Sequence, residues 1–164
     1  MSYGTPLQGK RHSIFKRLCI KAGKAIAGSF PYNRARVCGL RLCGFKVGRK
    51  VYIGPGLVVA SLVSEAGCDL IIGDRVAIGP RVTLALSSDA NWSRLNKVIR
   101  PVRGTIQLCD DCWLGAGVTV LPGITVGECS VAGAGSVVTG DIPPFSVYAG
   151  VPAKMIRTID REKL

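Results

Sequence analysis

The sequence predicts an all-β protein whose chain winds as a parallel β-helix, a solenoid of stacked coils. Aliphatic residues recur every six positions, a glycine often follows them, and 48% of the residues are hydrophobic while only 6% are aromatic. A helix repeats about every 3.6 residues and a strand every two, so neither explains a strict period of six. A coil with three flat faces does, because six residues supply one short strand and one corner.

The repeat keeps its phase over most of the chain. The residues expected to point into the prism are Val47, Ile53, Val59, Ile72, Ile78, Leu84, Leu108, Leu114, Val120, Val126, Ala132 and Val138. Four positions after most of them stands a second inward residue, namely Val51, Leu57, Val63, Val76, Val82, Cys112, Val118, Ile124, Ser130 or Ser136. Glycine beside the aliphatic residue is expected to relieve a tight corner. Successive coils would pair as parallel strands about 4.8 Å apart.

A polar segment, TLALSSDANWSRLN at residues 83–96, interrupts the repeat. The step from Leu84 to Leu108 is 24 residues, or four hexads, so the chain returns to the coil without losing phase. This predicts one loop, residues 85–105, that projects from an intact prism. A long loop on a regular scaffold is commonly functional.

The basic residues are concentrated at the N-terminus. Residues 1–50 hold twelve Lys or Arg and no Asp or Glu, while residues 51–164 hold ten of each, so the net charge of +12 belongs to the first third. Residues 11–30 have helical periodicity, and Pro31 should end the helix. One side of that helix is expected to gather Ile14, Phe15, Leu18, Cys19, Ala22 and Ile26, opposite Lys16, Arg17, Lys21 and Lys24.

Two roles for this helix stay open and are compatible. Its apolar face could cap the open first coil, because a solenoid needs a covered end. Alternatively, a cationic amphipathic helix could lie on an anionic membrane leaflet. No recognised nucleic-acid motif accompanies the charge, so we expect no nucleic-acid partner.

The chain therefore divides into three parts. Residues 1–45 form a basic N-terminal helical or capping segment, residues 46–158 the β-helix with its loop, and residues 159–164 a tail. A spanning helix is not expected, because no apolar run reaches about 18 residues, and no cleavable signal is evident. Together with an odd number of cysteines, seven, this predicts a cytoplasmic protein with reduced thiols, peripheral at the membrane if the helix binds lipid.

Metal binding is not expected. Cys109 and Cys112 form a CxxC pair, but the single histidine, His12, is remote in sequence, and zinc needs four nitrogen or sulfur ligands. Cys112 also falls where the repeat needs a small inward residue.

The C-terminal half resembles the hexapeptide-repeat acyltransferases. The matching stretch is residues 112–157, CWLGAGVTVLPGITVGECSVAGAGSVVTGDIPPFSVYAGVPAKMIR, and its most specific parts are GAGSVVTGDIPP and AGVPAKMIR. It is most similar to the sugar O-acetyltransferase branch, which includes galactoside, maltose and polysaccharide-modifying enzymes. The resemblance implies left-handed winding, a homotrimer with clefts between neighbouring prisms, and acetyl-CoA in that cleft beside the projecting loop.

Carried over residue by residue, the resemblance implies CoA contacts from Trp113, Ala116, Ala134, Thr139, Gly140, Lys154 and Arg157. The CoA phosphates need fixed cations, and Lys154 and Arg157, three positions apart, could share one face of a helical turn. Small residues leave backbone amides accessible to the narrow pantetheine arm. Gly140 stands where relatives often carry lysine.

The family usually places a histidine on the loop as general base, and this loop has none. The position falls at Ser88 or Asp89. We therefore predict Asp89 as the base with Ser88 assisting at the acceptor hydroxyl, although Asp89 could equally cap the loop's own backbone. Residues predicted to bind the acceptor are Ser87, Asn91, Trp92 and Glu65, and the fallback carboxylates are Glu65 and Asp69.

The predicted function is metal-free O-acetyl transfer from acetyl-CoA to a hydroxyl of a sugar or surface-polysaccharide precursor. The alternative is a catalytically silent β-helix scaffold or binding module, which the absent histidine suggests. A carbonic anhydrase of this fold would need several histidine ligands and is excluded. A protein that binds membrane or nucleic acid through the basic segment is the remaining class.

Overall fold

The computed structural model describes residues 14–61 and 69–163. The predictions for His12, Val63 and Glu65 lie outside the described residues. The helices are α1 (Ile14–Ser29) and α2 (Asn33–Leu42), with 3-10 helices at Arg94–Lys97 and Arg161–Lys163. The strands are β1 (Lys46–Val47), β2 (Tyr52–Ile53), β3 (Val58–Ala60), β4 (Leu70–Ile72), β5 (Ala77–Ile78), β6 (Thr83–Ala85), β7 (Ser87–Ser88), β8 (Val102–Arg103), β9 (Ile106–Leu108), β10 (Trp113–Leu114), β11 (Thr119–Val120), β12 (Thr125–Val126), β13 (Val131–Ala132), β14 (Val137–Val138), β15 (Ser146–Gly150) and β16 (Ala153–Thr158).

Three sheets form the faces of the prism. Face 1 is β1-β4-β9-β12, face 2 is β2-β5-β10-β13-β15-β16, and face 3 is β3-β6-β11-β14. Neighbouring strands within a face are parallel, except in the β15–β16 pair. The parallel neighbours come from successive coils, so the chain passes through the three faces in rotation. The parallel β-helix prediction is therefore confirmed.

The core follows the hexad pattern. The predicted inward aliphatic residues are buried, except Val47 at the open first coil, which is partly buried. Cys112 is also buried, as its place in the repeat predicts. In the later coils the inward serines are satisfied locally, because Ser130 Oγ donates to the Gly127 carbonyl and Ser136 Oγ to the Gly133 carbonyl, both at 2.6 Å.

Glycine after an inward residue avoids a Cβ clash, as predicted, and at Gly79 the clash would be with the next coil. Gly79 does not have a positive φ, and a Cβ built on it would lie 2.7 Å from the Ala116 backbone nitrogen in the next coil. The positive φ values at the corners fall elsewhere, for example 58° at Arg75 and 59° at Asp111. Close approach of the neighbouring coil, rather than an unusual backbone conformation, requires glycine at position 79.

Both irregular segments of the sequence are inserted at the same corner of the prism. Val120 pairs with Val138, 18 positions on, whereas Leu84 pairs with Val120, 36 positions on, and Val59 with Leu84, 25 positions on. The extra residues follow β3 and β6, where face 3 passes to face 1 of the next coil. We call this the insertion corner. Leu84 and Leu108 are both buried, so the predicted return to phase after the long loop is confirmed.

The second helix, α2, is not predicted from the sequence, and it covers the edge of the first coil. Asn33 Nδ2 donates to the Val51 carbonyl at 3.0 Å, and Asn33 Oδ1 accepts the Ile53 N–H at 2.8 Å. The buried Arg36 donates through Nε to the Ile53 carbonyl at 2.7 Å. These side chains bond backbone groups of a coil that has no preceding coil to pair with.

The helix α1 packs on α2 through small residues. A Cβ on Gly23 would lie 2.5 Å from the Gly39 carbonyl oxygen, and a Cβ on Gly39 would lie 2.5 Å from that of Gly23. Phe15 and Leu18, by contrast, are 75% and 60% exposed. At Phe15 and Leu18 the apolar side predicted for this helix is therefore exposed and does not cap the first coil. Among the described helices none is long and apolar enough to cross a bilayer.

Candidate active site

The projecting loop is a hairpin arm. Its two short strands, β7 and β8, pair antiparallel, with Ser87 opposite Arg103 and Ser88 opposite Val102. At its base the Gly104 N–H donates to the Leu86 carbonyl at 3.1 Å, so the two ends of the loop lie together. The arm therefore has its own backbone pairing and stands on the insertion corner.

Asp89 lies directly after the first strand of this arm and is partly buried. Its Oδ1 accepts the Asn91 N–H at 2.8 Å, and Asn91 has a φ of 46°. This Asx turn confirms the loop-capping interpretation as a contact. It occupies one carboxylate oxygen, so a role as base is compatible with the turn.

The predicted acceptor residues are spread along the arm. Ser87 is partly buried and Ser88 exposed near the base, while Asn91 and Trp92 are exposed toward the tip. Asp69, the described fallback carboxylate, ends the other insertion, and its carbonyl accepts the Ile106 N–H at 3.0 Å. The structure therefore places Asp69 and the arm at one corner.

A row of residues crosses the outer surface of face 2. Trp113 pairs with Val131, Val131 with Val147, and Val147 with Arg157. Residues directly opposite each other in paired strands project on the same side. Trp113 is 55% exposed, so this row faces outward.

Lys154 joins this row, although not through the predicted helical turn. That expectation is wrong, because residues 153–158 form β16. Lys154 pairs with Ala149 and Arg157 with Val147, with a register shift between Val147 and Tyr148. Since residues two apart on β15 share a side, the irregular register puts both cations on one side despite their odd spacing.

The remaining predicted cofactor residues lie at corners. Ala116 and Ala134 stack in successive coils where face 2 passes to face 3, and the Ala116 carbonyl accepts the Gly135 N–H at 2.8 Å. Thr139 and Gly140 are exposed at the insertion corner, directly after β14. In a triangular prism, face 2 lies opposite that corner. One chain therefore does not bring all the predicted site residues together.

A shallow cavity of about 470 Å³ lies on face 2, lined by Asp111, Trp113, Cys129, Val131 and Ile159. Of these only Trp113 is predicted from the sequence. The coil length could have revealed Val131, because it stands 18 positions after Trp113 and so occupies the same place in the next coil.

A charged cluster borders this cavity. The Arg75 guanidinium donates to both carboxylate oxygens of Asp111 at 2.6 Å, which lowers the pKa of Asp111 and raises that of Arg75. Within the described ranges, Asp111, Glu128 and Cys129 could bring three ligand atoms within 4.8 Å of one another. Arg75 already bonds both carboxylate oxygens of Asp111, and burial raises the pKa of the Cys129 thiol, so the partner that the structure gives this cluster is the Arg75 cation.

Comparison with known proteins shows what this chain is similar to. Residues 106–140 match the family model described as the hexapeptide repeat of succinyl-transferase. The galactoside O-acetyltransferase of Escherichia coli K12 is 39% identical over 121 residues, which cover 73% of this chain and 60% of that protein. The chain thus spans less than two thirds of that relative's length.

Solved structures agree on the fold. A hexapeptide-repeat acetyltransferase from Vibrio cholerae, solved with acetyl-CoA, has a TM-score of 0.70 at 24% identity and covers 96% of this chain and 94% of its own. A galactoside acetyltransferase in complex with coenzyme A has a TM-score of 0.62 at 28% identity over 91% of this chain and 83% of its own. These likenesses imply left-handed winding. Residues 106–140 therefore carry a hexapeptide repeat, and the chain is similar to acetyltransferases that share this repeat and fold.

Proposed function

We propose that the protein is a coenzyme-A-dependent O-acetyltransferase that acts on a hydroxyl of a sugar or surface-polysaccharide precursor. The observation that carries the proposal is the outward row on face 2, with Trp113 at one end and Lys154 and Arg157 at the other. Relatives with this repeat are named galactoside O-acetyltransferases, and one was solved with coenzyme A.

The two cations are suited to the phosphates of the acyl donor. Both are exposed, and among the described residues neither takes part in an ion pair. An unpaired cation on a strand edge gains a charge-assisted bond when phosphate arrives. The apolar cavity beside Trp113 would receive the narrow pantetheine arm.

Acetyl transfer would be direct. The acceptor oxygen attacks the thioester carbonyl, a C–O bond forms and the C–S bond breaks. The hydroxyl proton passes to the Asp89 carboxylate and from there to the departing CoA thiolate. Backbone N–H groups near the cleft would stabilise the transient oxyanion, and holding the two reactants together would supply much of the acceleration.

The assembly we propose is a homotrimer. Asp89 and the acceptor residues stand at the insertion corner, whereas Trp113, Lys154 and Arg157 lie on the opposite face. On this proposal the two groups meet between copies of the chain. Exposed apolar side chains on the arm, Trp92, Val98 and Ile99, would then be covered by the neighbouring prism.

The first test is calorimetric titration of acetyl-CoA into the purified protein. We expect micromolar affinity in the native chain and a loss of about 100-fold or more in Lys154→Ala/Arg157→Ala, because two charge-assisted bonds disappear. The matched control is Lys21→Ala/Arg34→Ala, which also removes two exposed cations and should bind normally. Absence of binding by the native chain at millimolar acetyl-CoA would rule the enzyme out.

The second test separates the two roles of Asp89. Asp89→Asn keeps an oxygen that can accept the Asn91 N–H but removes the base, whereas Asp89→Ala removes both. Transfer of radiolabelled acetyl to galactosides and maltose, followed by chromatography, should fall about 10²–10⁴-fold in Asp89→Asn, with unchanged acetyl-CoA affinity.

Native turnover in Asp89→Asn and loss only in Asp89→Ala would leave the residue a purely structural role. If the native chain binds acetyl-CoA yet acetylates no acceptor, the silent scaffold becomes the better description. The Asx turn already formed by Asp89 is the observation that favours that second candidate.

A further inference from the structure

We propose that the outward side of α1 is a docking surface for an anionic lipid bilayer. This surface, the lipid face, consists of Phe15, Leu18 and Lys21, and Arg17 borders it next to Lys21. The inference goes beyond acetyl transfer and does not depend on it.

The lipid face combines apolar and cationic side chains that the fold leaves uncovered. Phe15 is 75% and Leu18 60% exposed, Lys21 is exposed three positions after Leu18, and Arg17 is exposed four positions before Lys21. Residues three or four apart on a helix are neighbours on its surface, so Leu18 stands between Phe15 and Lys21. Two large exposed apolar side chains on a helix flanked by cations are typical of an interfacial helix.

The opposite side of α1 holds the helix in a fixed orientation. Gly23 meets Gly39 of α2 at close range. The Gly28 carbonyl accepts the Gly56 N–H at 2.7 Å, and Lys24 Nζ donates to Ser61 Oγ at 2.7 Å. One side of α1 therefore packs on α2 and the first coil, and the other side carries the lipid face.

The charge of this end of the molecule identifies the partner as anionic. Residues 1–50 contain no acidic side chain, and the neighbouring α2 adds the exposed Arg34 and Arg41. Phosphate in nucleic acid would satisfy these cations but would give Phe15 and Leu18 no contact. A leaflet with anionic headgroups satisfies both kinds of side chain at once.

The test is co-sedimentation of the full chain with vesicles. Equal mixtures of phosphatidylglycerol and phosphatidylcholine should retain the protein, and pure phosphatidylcholine should not. Arg17→Gln/Lys21→Gln should bind the mixed vesicles about 30-fold more weakly, since each cation near an anionic surface strengthens binding by a factor of about five. Phe15→Ser/Leu18→Ser should lose at least about tenfold.

The control is Lys97→Gln/Arg100→Gln, which removes two exposed cations from the loop and should bind like the native chain. The far-ultraviolet circular dichroism spectrum of every variant should match the native one, since the altered side chains are exposed. Equal loss in the loop control, or no retention of the native chain, would overturn the proposal. Loss in the charge variant with native binding by Phe15→Ser/Leu18→Ser would also overturn it, and would indicate a general polyanion site such as nucleic acid.

Discussion

Arg75 shows how a single residue keeps neighbouring coils in register. Its φ of 58° costs an L-residue about 1–2 kcal/mol, and Asp111 at the next coil has the same backbone conformation. The guanidinium of Arg75 bonds both oxygens of Asp111, so adjacent corners are tied side chain to side chain. Because this pair lowers the pKa of Asp111, its stabilisation is complete above the ordinary carboxyl pKa and is lost as the pH falls through the lowered one.

Gly79→Ala tests whether coil spacing requires glycine. The added Cβ would meet the Ala116 backbone, and we expect the free energy of unfolding to fall by about 1–3 kcal/mol. The measurement is the urea midpoint. Gly140→Ala is the control, because a Cβ there meets no atom within 4 Å. Equal midpoints for the two variants would refute the close-approach explanation.

At the scale of elements, α2 is a helix that depends on its contacts. Its sequence, NRARVCGLRL, holds a glycine and a β-branched residue and has no acid in its first turn, so its intrinsic propensity is weak. The hydrogen bonds that Asn33 and Arg36 make to the first coil are tertiary contacts, and they produce no period in the sequence that could reveal them. The hexad period is local and repeated, which is why the coils could be predicted from the sequence and this helix could not.

The same reasoning applies to the candidate site. The return of the chain to the hexad phase follows from the spacing of Leu84 and Leu108, and the motif that contains Trp113 predicts this residue as part of the site. The shared side of Lys154 and Arg157 arises from the register shift in the β15–β16 pair, which residue spacing does not encode. Likewise, the sequence suggests two roles for Asp89, capping of the loop backbone and catalysis, but gives no reason to prefer one of them.

Arg36→Met tests the role of α2 as a cover. The variant leaves the Ile53, Phe30 and Pro31 carbonyls without their buried donor, so we expect a loss of about 3 kcal/mol or more in the free energy of unfolding. Arg34→Met, on the exposed side of the same helix, is the matched control. Chemical denaturation followed by circular dichroism measures both. Native stability in Arg36→Met would mean that the first coil does not need this cover.

At the scale of the whole molecule, the separation of the two halves of the proposed site has a measurable consequence. An Asp89→Asn chain keeps a native face 2, and a Lys154→Ala/Arg157→Ala chain keeps a native arm. If each site is shared between copies, mixed trimers of equal amounts of the two inactive chains should recover about a quarter of native transfer. In random assembly, about a quarter of the interfaces join a native arm to a native face 2. Radiolabelled acetyl transfer after co-expression measures this recovery. Activity no greater than that of the separate variants would place the whole site within one chain.

The closed base of the loop makes the arm a separable module. Its ends meet where the Gly104 N–H bonds the Leu86 carbonyl, and the coils above and below keep their phase on either side. An arm of another length or sequence can therefore be grafted between these two residues while the stacking of the prism stays unchanged. If the arm binds the acceptor as proposed, acceptor preference can diverge by loop exchange alone, while the proposed donor surface on the far face is inherited intact.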